Sequence, residues 1–185
     1  KNSNITDLEN KGTATLKGTN ALTNITEAGN LIVNDGKTTV LGKLEQNSVT
    51  VADNAVLEAV LNKFVVSSNT INNGVLNLFG NGAINKDITG NGSLNLDGIV
   101  DNNATITQKD LTFASGKFTN KGNIAGTVIN TGLFSNADAA TVTGDISSSG
   151  DIDNSGIING DVTSGGSFKN AGIIKGNVTN NGHLT

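Results

Sequence analysis

His183 is the only imidazole in the 185-residue chain, and Cys, Arg, Tyr and Trp are absent. A Ser-His-Asp relay would have to run through His183, which opens an unfinished repeat beside a corner. Thiolate metal sites and cysteine nucleophiles are excluded by composition. Pectinase-like chemistry needs clustered acids, basic residues and sugar-stacking rings in one groove. Here the acids are dispersed and the only rings are six Phe. The sequence reads as a non-enzyme.

Carboxylates offer a second chemistry. Residues 133–166 hold Asp138, Asp145, Asp151, Asp153 and Asp161 and no Lys. Asp145 and Asp161 occupy matching places (Gly-Asp-Ile, Gly-Asp-Val), so stacking would set their carboxylates one strand spacing apart, about 4.8 Å. Such a pair can share a cation or simply face water. The Gly-Gly-x-Gly-x-Asp calcium nonapeptide is missing, and no metal or cofactor is expected. Polar side chains offer a third. Asn120, Asn136, Asn154 and Asn170 recur in one column, where amides can hydrogen-bond up and down a stack. Asn130, Ser148, Ser164 and Asn180 form another. Read as outward ladders, Asn120, Asn136, Asn154, Asn170, Thr127, Asp145, Asp161 and Asn177 are the candidate binding residues, each contact weak but multivalent in a row. Sequons at Asn4, Asn24 and Asn177 are near chance frequency for so Asn- and Thr-rich a chain, though they leave glycosylation open.

The elements that position these groups follow from a repeat. From residue 117 the chain divides into rows 117–132, 133–150, 151–166 and 167–182, with two extra residues near Asp138 and a fifth row opening at His183. Phe118, Phe134, Ile152, Phe168 and Leu184 share one apolar column. Ile124, Val142, Ile158 and Ile174 share the next, and Val128, Ile146, Val162 and Val178 the third. Gly punctuates between the columns, at places where a tight corner would call for positive φ. Segments of three to five residues, alternating apolar and polar, read as short strands. Three strands and three corners per row make one turn of a parallel β-solenoid. Five Asn-Gly steps suit hairpins, yet hairpins would not repeat columns at row spacing. A 6-4-6 spacing also disagrees with a hexapeptide helix. The expected fold is all-β, a right-handed parallel β-helix with three short strands per rung and roughly nine to eleven rungs.

Upstream the same grammar is looser. Residues 75–92 place Leu76, Ile84 and Ile88 inward, and 93–116 would be one long rung of 24 residues with room for a projecting loop. Residues 29–60 alternate at Leu31, Val33, Val40, Leu44, Val49, Val51, Val56 and Leu57. Ala55 to Val66 hints at helical period but lacks caps and is taken as strand. The chain reads as a single segment, 1–185, without linkers.

Composition agrees with order. Apolar residues make up 35% and charges only 15%, whereas disordered chains are richer in charge or Pro. Absent Pro suits ladders that need every N–H. Twelve Lys against sixteen acids give a net charge of −4, a balance that disfavours nucleic acid and anionic membranes. No run of 18 apolar residues suggests insertion of this segment into a membrane.

The strings GNLIVNDGKTTVLG (29–42), GNGSLNLDG (90–98) and GNVTNNGHLT (176–185) resemble the passenger β-helices of bacterial autotransporters, and the filamentous-haemagglutinin-type exoproteins share that style. The likeness is one of repeat style along essentially the whole chain. It implies export and display at the cell surface or release, and neither a signal pattern nor a membrane barrel is seen in what would be an internal fragment opening on Lys1. The resemblance implies an adhesin segment whose partner is itself in trans, or a host matrix protein or glycan. A structural stalk, or part of a secreted toxin passenger, is the alternative.

Overall fold

The computed structural model describes residues 3–185. Among the described residues twenty-six strands and one 3₁₀ turn follow each other. The strands pair in parallel with their equivalents in neighbouring turns, with one gap between Phe64–Val66 and Gly82–Ile84, giving a β-solenoid of about 10 turns. Stacked at the strand spacing, these turns make a rod of about 45–50 Å.

Three inward columns form the core. On the first face Leu31, Val49, Thr70, Ile88, Ile106, Ile124, Val142 and Ile158 stack in register. On the second, Leu57, Leu76, Leu94, Leu111, Val128, Ile146 and Val162 do the same. The third carries Val100, Phe118, Phe134, Ile152 and Phe168. All of these side chains are buried, and each apolar one contributes about 1.5–3 kcal/mol relative to exposure. Phe118 lies 5.8 Å from both Phe113 and Phe134, the rings tilted by 35° and 31°, a favourable offset for aromatic pairs.

Three expectations change. The rung at 93–116 is not 24 residues long: Leu94 pairs with Leu111 and Asn95 with Thr112, so the turn closes in 17 residues. What looked like a projecting loop is continuous strand, Ser93–Asn102 followed by Thr105–Asn120. The extra residue is absorbed by a register shift after Leu96, as a bulge allows. Corner glycines in the regular rows also have another cause than the one expected. Only Gly126 and Gly144 among them have positive φ, 143° and 141°. Elsewhere the neighbouring rung leaves no room: a Cβ on Gly172 would sit 2.1 Å from the Gly156 carbonyl oxygen. Finally, Ala55 to Val66 is strand, as expected, except for the 3₁₀ turn Leu61–Lys63.

The two-residue insertion does fall near Asp138. It forms a turn in which Ala140 N–H donates to the Ala137 carbonyl at 3.1 Å and Ala139 takes φ 62°. The ladders on either side, Asn136 to Asn154 and Val142 to Ile158, continue unbroken.

Candidate binding surface

The asparagine column forms the amide ladder but lies inside the solenoid. Asn102 Nδ2 donates to Asn120 Oδ1 at 2.8 Å, Asn120 to Asn136 at 2.9 Å, Asn136 to Asn154 at 2.8 Å and Asn154 to Asn170 at 2.7 Å. Asn120, Asn136 and Asn154 are 0–1% exposed, which corrects their reading as outward binding residues. Only Asn170, at the end of the ladder, is exposed. The cause is strand periodicity: each Asn sits two residues after an inward Phe or Ile, so both face the same side. The second polar column is likewise inward, with Asn130, Ser148 and Ser164 buried and Asn130 Nδ2 donating to Ser148 Oγ at 2.8 Å.

Thr127, Asp145, Asp161 and Asn177 are exposed and stack at one corner. Asp161 N–H donates to Asp145 Oδ1 at 2.9 Å, and Asn177 N–H to Asp161 Oδ1 at 2.7 Å. These carboxylates therefore act as staples between rungs, each taking a backbone donor. The device recurs at other corners: Asn91 N–H on Asn73 at 3.1 Å, Ile99 N–H on Asn81 at 2.9 Å, and Thr105 N–H on Asp87 at 2.9 Å. Among the described residues no group of three His, Cys, Asp or Glu side chains converges as metal ligands would. His183 is exposed beside Ser167. Sequons stand at Asn91 and Asn103 as well; Asn4, Asn91, Asn103 and Asn177 are exposed, whereas Asn24 is half-buried and its Nδ2 donates to Asp7 Oδ1 at 2.6 Å.

One outward ladder escaped the sequence reading. On the second face Thr39, Glu58, Asn77 and Asn95 stack in register. Thr39 Oγ1 donates to Glu58 Oε2 at 3.1 Å, Asn77 Nδ2 to Glu58 Oε1 at 3.4 Å, and Asn95 Nδ2 to Asn77 Oδ1 at 2.8 Å. Lys37 Nζ lies 2.8 Å from Glu58 Oε1. Partial burial raises the Glu58 pKa, but Lys37, Thr39 and Asn77 together outweigh it and hold the carboxyl below its ordinary value. Val56 and Val75 flank this stripe on one side, and Leu41, Val60 and Phe79 lie beyond it on the other. Leu41 is 59% exposed. The signal of this ladder was the Leu-Asn-Leu entry at 76–78 and 94–96, whose central Asn must point outward if both Leu point in.

The third face carries the only 3₁₀ turn among the described residues. Phe64–Val66 pairs with the preceding rung, while Gly82–Ile84 pairs only with the following one. A cleft of about 400 Å³ opens between them, lined by Leu61, Phe64, Val66, Leu78, Ile84 and Ile88, with Lys86 at its edge.

Set beside known proteins, the chain matches no family model, no curated protein and no solved structure.

Proposed function

We propose that this chain is a segment of a surface-exposed or secreted bacterial adhesin, a passenger-type β-helix that contacts itself in trans, or a host matrix protein or glycan. The observation that carries the reading is the outward ladder Thr39–Glu58–Asn77–Asn95 with its apolar flanks. Rows of like groups at strand spacing let weak contacts add along the rod. No catalytic role is assigned. The test is display of the segment on cells that do not clump. Replacing Thr39, Asn77 and Asn95 together by Ala is expected to abolish aggregation, or binding to immobilised matrix protein or glycan, with circular dichroism unchanged. Clumping and binding that both persist would defeat this assignment.

A second reading, a stalk that presents a distal domain or belongs to a toxin passenger, is favoured by the 117–182 rows. There the polar columns serve the rod itself, as inward amides and corner staples.

A further inference from the structure

The third face opens at one level because of a single core substitution. In the inward column Leu44, Phe64, Gly82, Val100 and Phe118, glycine stands where every neighbour has a large side chain. Leu61 from the 3₁₀ turn takes the vacant place: a Cβ on Gly82 would lie 3.0 Å from Leu61 Cγ and 3.3 Å from the Asn62 nitrogen. Leu61 is 3% exposed. Inserting it holds Phe64–Val66 away from Gly82–Ile84, so no ladder forms between two strands that the other faces keep on consecutive rungs.

Both walls of the cleft then present unpaired backbone. Ser67 N–H donates to the Gln46 carbonyl, so Val65 and Ser67 address the preceding rung. Peptide groups alternate edges along a strand, which turns the N–H and C=O of Val66 toward the cleft. Opposite, Asn103 N–H donates to the Ile84 carbonyl, so the N–H and C=O of Ala83 face the cleft as well. A void of about 400 Å³ lies between these edges, with Phe64, Val66, Ile84 and Ile88 in its lining beside the polar Thr70 and Asn85. Val65, 44% exposed, stands at the rim, and Lys86, exposed, has no ion-pair partner among the described residues.

We propose that the cleft between Phe64–Val66 and Gly82–Ile84 binds a short extended peptide as an added strand. Open strand edges are templates for such addition. The occupant places an aliphatic side chain inward between Val66 and Ile84, beside the space that Leu61 fills, and an acidic one outward beside Lys86, so its chemistry is an alternating aliphatic–acidic segment of a partner protein. This site lies on a different face from the polar ladder, and its occupancy does not depend on self-association.

The probe is fluorescein-labelled Val-Glu-Val-Glu-Val titrated into the full chain by fluorescence anisotropy. Binding is expected, with amide exchange slowed at Val66 and Ala83. Ala83→Pro removes the cleft-facing donor without touching a bond to the following rung, and weakens binding by about tenfold, the scale of one hydrogen bond. Lys86→Glu weakens it several-fold, and methylating the central Val nitrogen of the peptide does as much as Ala83→Pro. No binding at millimolar peptide, or equal binding by the N-methylated peptide, overturns the added strand. Unchanged binding by Lys86→Glu overturns the acidic preference. If Ala83→Pro fails to fold, the N-methylated peptide on the unaltered chain still decides.

Discussion

Buried amides give this protein its most position-sensitive residues. Asn136 accepts from Asn120 and donates to Asn154, so Asn136→Ala strands a donor on one side and an acceptor on the other. Each buried unpaired group costs about 1–3 kcal/mol. Asn136→Ala should lower unfolding stability by about 2–4 kcal/mol in urea titration, whereas Asn170→Ala, which frees only the Asn154 donor next to an exposed position where water can replace the lost acceptor, should cost about 1 kcal/mol. Equal costs would mean the ladder carries no cooperative burden. This column was legible in the sequence as a ladder but was placed on the wrong face. Polarity alone points such residues outward, but their two-residue spacing from Phe118 and Phe134 turns them in. Ala139 supplies a second test. Its φ of 62° costs a residue bearing a Cβ about 1–2 kcal/mol, so Ala139→Gly should raise the thermal midpoint by a few degrees. Glu58 supplies a third, through pH. Its folded pKa is depressed by Lys37, Thr39 and Asn77 against the opposing effect of burial. Its contribution is therefore present above the ordinary carboxylate pKa and is lost as pH falls through the lower folded value. Glu58→Gln should be less stable than the parent by under about 1 kcal/mol at neutral pH, the scale of a partly exposed pair. The two urea midpoints should converge once the pH falls below the depressed folded value.

At the scale of the element, two glycines show how one rung makes room for another. Gly90 has φ 128°, and a Cβ there would lie 2.2 Å from the Asn72 carbonyl oxygen. Because Gly90 has no side chain, Asn72 Nδ2 reaches Gln108 Oε1 two rungs on, at 2.6 Å. Gly29 plays the same part between Asn10 and Gln46, whose amides also meet at 2.6 Å. Such amide bridges across a glycine were not legible, because their partners stand 36 residues apart, twice the repeat. Gly82 works in the opposite sense, its space being filled by Leu61. Gly82→Ala should therefore destabilise by about 1–3 kcal/mol through overpacking. Adding Leu61→Ala should recover part of that loss, a coupling of about 1 kcal/mol in a double-mutant cycle. Strict additivity would mean that Leu61 does not hold the two strands apart.

A solenoid is a one-dimensional stack, so its stability is carried rung by rung rather than by a central core. That is why the fold could be read from the last third of the sequence alone. Where three apolar columns and their glycines recur at fixed spacing, each row states the pairing of the next. Upstream, one-residue shifts such as those after Leu96 and Thr107 disguise the period, and 93–116 looked like one rung when Leu94 already pairs with Leu111. The same architecture predicts uneven stability along the rod. Phe118, Phe134 and Val142 are fully buried, covered by rungs above and below, whereas Ile173 is 56%, Val178 45% and Leu184 61% exposed in the last turn. Free energies of local opening range from near zero at such ends to the global value in covered rungs. In residues 1–185 taken on their own, native-state hydrogen exchange should give protection that falls from Asn123–Asn130 through Val162–Ser164 to Val178–Asn180, where no following rung covers the strand and protection approaches that of an unfolded chain. Mild denaturant should erase the last turn first and leave the middle rungs protected. Uniform protection along these three strands would show instead that the rod opens all at once, with coupling between neighbouring rungs much larger than the stability of any one of them.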